Sequence, residues 1–170
     1  MNYSEILDFG AADFLRSVPN LTRHFHHQPD FPHWLSQLAG KRPIWEYGAG
    51  MLNFSSALSK IHAPGVVAVE PRVPDDCKER AREKFALFPM FAHETFRVLH
   101  KDLLVVVCRP DHSGWVEEVM EKCGQLGIEF IYVGLPKNVD VDIDSEKFAI
   151  TALESNCGED GELAYRVRCR

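Results

Sequence analysis

Four β-rich runs, at residues 43–47, 66–70, 103–108 and 128–133, come at intervals filled by helix-like sequence. Parallel neighbours in a sheet need long crossovers, usually helical, so this alternation predicts an α/β sheet with helices packed on it. The clearest helix spans residues 114–127. Trp115, Val119, Cys123 and Leu126 mark one face, while Glu117, Glu118, Glu121 and Lys122 lie elsewhere. Pro74 followed by Asp75 and Asp76 opens another, because proline suits the first helical turn and carboxylates there complement the helix dipole. Its expected end is near Leu87.

The flanks read differently. Residues 148–153 and 163–168 are β-rich and joined by a polar stretch with Asn156, Gly158, Glu159, Asp160 and Gly161, which predicts a closing β-hairpin. The Pro and Asp content of residues 135–144 predicts a long surface loop. Residues 1–40 hold no strand-like run. Ile6, Leu7, Phe14, Leu15 and Val18 recur at roughly helical spacing before Pro19, and a second segment, 32–38, carries Trp34, Leu35 and Leu38 and stops near Gly40. The organisation expected is a helical lead-in over 1–40 and a single domain over 41–170. A chain of 170 residues, 45% of them hydrophobic, supports one core of that kind.

Charge and cysteine usage narrow the function classes. Nineteen basic against 25 acidic side chains give a net charge of -6, which disfavours holding bulk nucleic acid by phosphate neutralisation. Arg166, Arg168 and Arg170 form a small basic strip at the end of the sequence. Cys77, Cys108, Cys123, Cys157 and Cys169 are odd in number and form no C-x-x-C pair, so neither a disulfide framework nor a thiolate zinc site is indicated. With no signal-peptide pattern and no apolar run of about 18 residues, a cytoplasmic protein without a membrane partner is expected.

The segment that carries chemistry is Ile44, Trp45, Glu46, Tyr47, Gly48, Ala49, Gly50, Met51, Leu52, then a helical stretch, then Val66 to Glu70 by way of Val67, Ala68 and Val69. Its order is strand, glycine turn, helix, strand, acid. A backbone that turns sharply out of a strand and touches a ligand cannot carry Cβ atoms at the contact points, which suits Gly48 and Gly50. A carboxylate ending the second strand can accept hydrogen bonds from both hydroxyls of a ribose, and Glu70 stands there. The dinucleotide fingerprint G-x-G-x-x-G fails at its third position, Asn53. Without a ligand, the same residues read as a tight strand-to-helix turn.

This stretch resembles the first two motifs of the class I S-adenosylmethionine-dependent methyltransferases, in which an acid-x-Gly-x-Gly turn follows the first strand and an acid ends the second. The resemblance implies a Rossmann-like three-layer α/β/α sandwich with a mostly parallel sheet that ends in an antiparallel hairpin. It implies S-adenosylmethionine as cofactor, with Glu46 near the methionine end, the backbone of Gly48, Ala49 and Gly50 beneath the cofactor, and Glu70 on the ribose. The family often has a third glycine where this chain has Leu52. Residues 71–102 are few for the elements the family places there, so the third-strand region is expected to be shortened, and an Asp that commonly contacts the adenine has no clear counterpart.

Two further constellations bear on function. Arg109, Pro110, Asp111, His112 and Ser113 follow the third of the four runs, in the crevice position where open α/β sheets place ligands. Asp111 or His112 is the candidate base for methyl transfer. The competing reading is a polar loop in which Ser113 or Asp111 caps the next helix. His24, His26, His27 and His33, with Asp30 among them, match no compact ligand spacing, and no metal is expected. The function expected is methyl transfer to a small-molecule or protein acceptor, and the alternative is a non-catalytic binding or assembly module on the same fold. An oligomer or a partner subunit is left open.

Overall fold

The computed structural model describes residues 25–81, 84–110, 114–154 and 156–170. The apolar pattern read within residues 1–18 lies outside them. The described chain opens with α1 (Phe31–Ala39), which has proline in its first turn and buries Phe31, Leu35 and Ala39. Gly40, at φ 64°, ends it and returns its N–H to the Ser36 carbonyl at 3.0 Å.

From there strands and helices alternate: β1 (Ile44–Tyr47), α2 (Asn53–Ser59), β2 (Val66–Val69), α3 (Asp75–Ala81), β3 (Ala86–Phe88), a 3₁₀ helix (Ala92–Val98), β4 (Leu104–Cys108), α4 (Trp115–Leu126), β5 (Glu129–Gly134), α5 (Pro136–Asp142), β6 (Phe148–Glu154) and β7 (Leu163–Cys169). They build one seven-stranded sheet in the order β3-β2-β1-β4-β5-β7-β6. The first five strands are parallel, and β7 runs antiparallel between β5 and β6. Every residue of β1 and β4 is buried, as central strands covered on both faces should be.

Side-chain alternation divides the core into two layers. Trp45, Tyr47, Val105, Val107, Phe130 and Tyr132 face α4, which contributes Val116, Val119, Met120 and Cys123. On the opposite face Ile44, Val66, Leu104, Val106 and Ile131 meet Phe31 and Leu35 of α1 and Phe54 and Leu58 of α2. The result is the three-layer α/β/α arrangement with a closing antiparallel hairpin.

Two local expectations are corrected. Helix α3 ends at Ala81, not near Leu87, because Ala86, Leu87 and Phe88 pair in parallel with Val67, Ala68 and Val69 of β2. The third strand is thus present and short, at three residues on the sheet edge. Residues 135–144 are not a loop, since Pro136 starts α5, where its missing N–H and fixed φ are harmless. The 3₁₀ helix is fastened to β1 by a buried hydrogen bond, 2.6 Å long, from the Tyr47 hydroxyl to Thr95 Oγ1, which in turn donates to the Ala92 carbonyl. Among the described residues no helix is long and apolar enough to cross a membrane.

Candidate functional site

At the carboxyl end of β1 the backbone reverses through Gly48, Gly50 and Leu52, with φ of 68°, 53° and 63°. The N–H groups of Gly48 and Ala49 both point at the Val69 carbonyl, at 2.9 and 3.4 Å, so the turn stays bound to the end of β2. The next amide reaches further. Gly50 donates to Glu70 Oε2 and the Arg72 N–H to Glu70 Oε1, each at 3.0 Å, which holds the carboxylate between the glycine turn and the loop after β2. Leu52 has adopted the left-handed geometry that glycine takes readily, at a cost of about 1–2 kcal/mol for a side-chain-bearing residue.

The side chains of the turn face in different directions. Ala49 is buried with Leu52, Ala68, Val73 and Cys77. Glu46 lies beneath the turn, 3% exposed, and its carboxyl accepts a hydrogen bond from the Ser55 hydroxyl in α2. Burial pushes its pKa up to about 8; the Ser55 hydrogen bonds act against that, and the nearby Glu70 charge adds to it. Gly48 has a close neighbour on the side where a side chain would stand. A Cβ there would lie 3.0 Å from Cη2 and 3.1 Å from Cζ2 of Trp115, so the edge of the indole at the start of α4 meets the first glycine there.

The chain order, strand order and turn can be compared with known proteins. No protein-family model and no curated protein matches the sequence. Solved structures do match in three dimensions. The precorrin-6y C5,15-methyltransferase of Geobacter metallireducens GS-15 aligns with a TM-score of 0.61 at 12% identity, over 86% of this chain and 93% of its own. An O-methyltransferase of Bacillus cereus in complex with SAH aligns over 96% of this chain and 88% of its own, with a TM-score of 0.56 at 15% identity. For a SAM-dependent O-methyltransferase of Thermotoga maritima the TM-score is 0.59 at 16% identity, over 89% and 69%. The chain has the class I S-adenosylmethionine-dependent methyltransferase fold.

In this methyltransferase fold the order of strands reverses between β1 and β4, and open α/β sheets generally place their ligands beyond the carboxyl ends of the strands at such a reversal. β4 ends at Cys108, and Arg109 follows with φ 47°, an uncommon conformation outside glycine. Its guanidinium meets Asp160 at 2.8 Å and Glu162 at 3.0 Å, both from the connection between β6 and β7. Glu162 is 1% exposed, and its Oε1 is paired with Arg109 by charge without hydrogen-bond geometry. Asp111, His112 and Ser113 lie outside the described residues.

The same connection is bound from the other side. Gln28 donates to the Cys157 carbonyl at 2.9 Å, Glu159 donates to the His26 carbonyl at 2.9 Å, and His27 bridges Gly158. The histidine-rich approach therefore pairs with the hairpin loop. His26 and His33 are exposed, and His24 lies outside the described residues. Of the basic strip, Arg166 shares Glu129 with Arg42, at 2.6 and 2.8 Å, and Arg170 donates to the Phe148 carbonyl at 3.3 Å.

Sequence reasoning brought Glu46, Gly48, Ala49, Gly50 and Glu70 to one turn, and they are together. It missed Ser55, which partners Glu46 nine residues later, and it took Trp115 only as a core residue of its helix. A serine facing back along a short helix toward a buried acid was a signal available in principle. The ion pairs of Arg109, formed across 51 residues to Asp160, had none.

Proposed function

We propose that the chain binds S-adenosylmethionine at the Gly48–Gly50 turn and transfers its methyl group to a small-molecule or protein acceptor. The observation that carries this reading is the fixed position of Glu70. Its carboxylate ends β2 beside the glycine turn, held by two backbone amides, and each oxygen keeps a lone pair for a ribose hydroxyl. The residues present fit the cofactor in this respect, with Gly48, Ala49 and Gly50 supplying the backbone beneath it. Glu46 supports the turn from below through Ser55, and any contact it makes with the methionine end is indirect. When bound, the cofactor supplies an electrophilic methyl group on a cationic sulfur. The candidate base remains the one read from the sequence, Asp111 or His112, which follow β4 in the chain and would take the proton of a nucleophile that needs one removed. The net charge of -6 argues against bulk nucleic acid as acceptor.

The test is isothermal titration with S-adenosylmethionine and S-adenosylhomocysteine, repeated on Glu70→Ala. Micromolar binding is expected, weakened by about 1–3 kcal/mol in the variant as the ribose loses its acceptor. Silence with both ligands, together with no thermal shift, refutes the reading.

A second reading, a non-catalytic binding or assembly module, draws on a specific observation. The edge of Trp115 takes the place a Gly48 side chain would need, and the Glu70 oxygens accept from Gly50 and Arg72, so Gly48, Gly50 and Glu70 already have a structural use without a ligand.

A further inference from the structure

β1, β2, β4 and β5 run parallel, so the residues that lead into them share one edge of the sheet, and β7, running the other way, finishes there. That edge lies at the far end of the strands from the glycine turn. On its α1 face Lys41 and Arg42 follow α1, Lys60 follows α2, and Arg166 and Arg168 come from β7, where they alternate with Val167 of the α4-side core. Lys41, Lys60 and Arg168 are exposed, and among the described residues no acid pairs with them. Arg42 and Arg166 converge on Glu129, at 2.8 and 2.6 Å, while their side chains stay 31% and 27% exposed. Arg42 is further fixed by bonds from Nε to the Ala39 carbonyl at 3.0 Å and from Nη2 to the Leu38 carbonyl at 2.9 Å. One carboxylate between two guanidiniums leaves positive charge at the centre of the strip. Lys101 and Asp102, exposed before β4, offset each other in charge.

The net charge of -6 therefore conceals a segregated cationic strip. Helix dipoles favour cations behind α1 and α2, which accounts for Lys41 and Lys60 but not for Arg168 on a strand. Two arginines pinned in place and flanked by unpaired cations suit phosphate, because a guanidinium forks onto phosphate oxygens and a fork already set loses little freedom on binding. We propose that the strip of Lys41, Arg42, Lys60, Arg166 and Arg168 binds the sugar–phosphate backbone of a nucleic acid. The contact is an anchor and not the seat of a methyl acceptor, since the four residues of β1 put about 13 Å between it and the glycine turn. An anionic lipid surface fits less well, because it rewards apolar side chains set beside the cations. Of the exposed large apolar residues only Ile61 is near; Phe91, Val98 and Val141 belong to the 3₁₀ helix and α5, which pack on the α4 side of the sheet.

The experiment is fluorescence anisotropy of the full chain, without cofactor, against a labelled single-stranded RNA and a labelled DNA duplex. Binding of at least one is expected, weakening about 10- to 100-fold between about 50 and 200 mM salt as three or four phosphates regain their counterions. Lys41→Gln combined with Arg168→Gln is expected to lower the affinity about 5- to 30-fold and to flatten the salt dependence. Neither residue has a partner to lose, so the variant should melt with wild type, and the two single substitutions decide the matter if the double variant does not fold. Lys137→Glu, an equal change of charge on α5, is expected to leave the affinity within about 3-fold. Failure of wild type to bind either probe at the lower salt, or a loss in the double variant no larger than that from Lys137→Glu, overturns the proposal. Binding to phosphatidylserine vesicles with no binding to either nucleic acid also overturns it, and assigns the strip to a membrane surface.

Discussion

Glu46 shows how far one side chain can depart from its ordinary chemistry. Unfolded, its carboxyl titrates near 4.5; folded, it titrates at about 8, so the folded chain keeps a proton that the unfolded chain has released. Stability supplied by that proton is fully present below the unfolded value and is lost as pH rises through the folded one, at up to about 1.4 kcal/mol per pH unit. Denaturant melts between pH 5 and 8 should therefore show falling stability. Glu46→Gln, which keeps an acceptor for Ser55 and removes the titration, should flatten the profile and be the more stable protein at pH 8. An unchanged slope in the variant would assign the pH dependence elsewhere. The glutamate was legible in the sequence as part of a motif, but its burial was not, because burial is decided by α2 folding over it.

Elements tell a similar story about local signal and distant cause. The buried strands β1, β4 and β5 and the amphipathic α4 were readable because apolar runs and helical spacing are properties of the segment itself. β3 was not, since three residues are too few to show a period and its pairing with β2 is a tertiary event. α5 was hidden by Pro and Asp, residues that suit a turn and a helix start equally. One link between elements invites a direct test. His62, 3% exposed, lies between the Ser36 hydroxyl of α1 at 2.9 Å and the Arg42 carbonyl before β1 at 2.8 Å, and so staples the first helix to the approach to the first strand. His62→Leu should cost about 1–3 kcal/mol, because it removes the ring that pairs with Ser36 and the Arg42 carbonyl at a part-buried link. Urea melts would check this, and a change below about 0.5 kcal/mol would mean that water replaces the ring.

Across the whole molecule, Arg109 joins the centre of the sheet to its far end. The ion pairs with Asp160 and Glu162 bring the hairpin connection to the carboxyl end of β4, and residues 26–28 clamp that connection from outside. Arg109→Met would abandon the Glu162 charge in a site that is 1% exposed, at a cost of about 3–5 kcal/mol. Arg109→Met combined with Glu162→Gln should recover most of that loss in thermal melts; no recovery would show that the backbone conformation at Arg109, rather than the charge, is what matters. No sequence pattern announces such a pair, because its members are far apart in the chain.

The placement of β7 bears on the order of assembly. β6 touches the sheet through β7, though it comes earlier in the chain, so it can join as half of a hairpin and not by itself. Until that hairpin arrives, the hydrogen-bonding edge of β5, with Phe130, Ile131, Tyr132 and Val133 along it, stands open beside a parallel sheet that is itself slow to form. The antiparallel hairpin that completes the fold is therefore also its guard against self-association, and the interval before it docks is when newly collapsed chains are most prone to pair with one another.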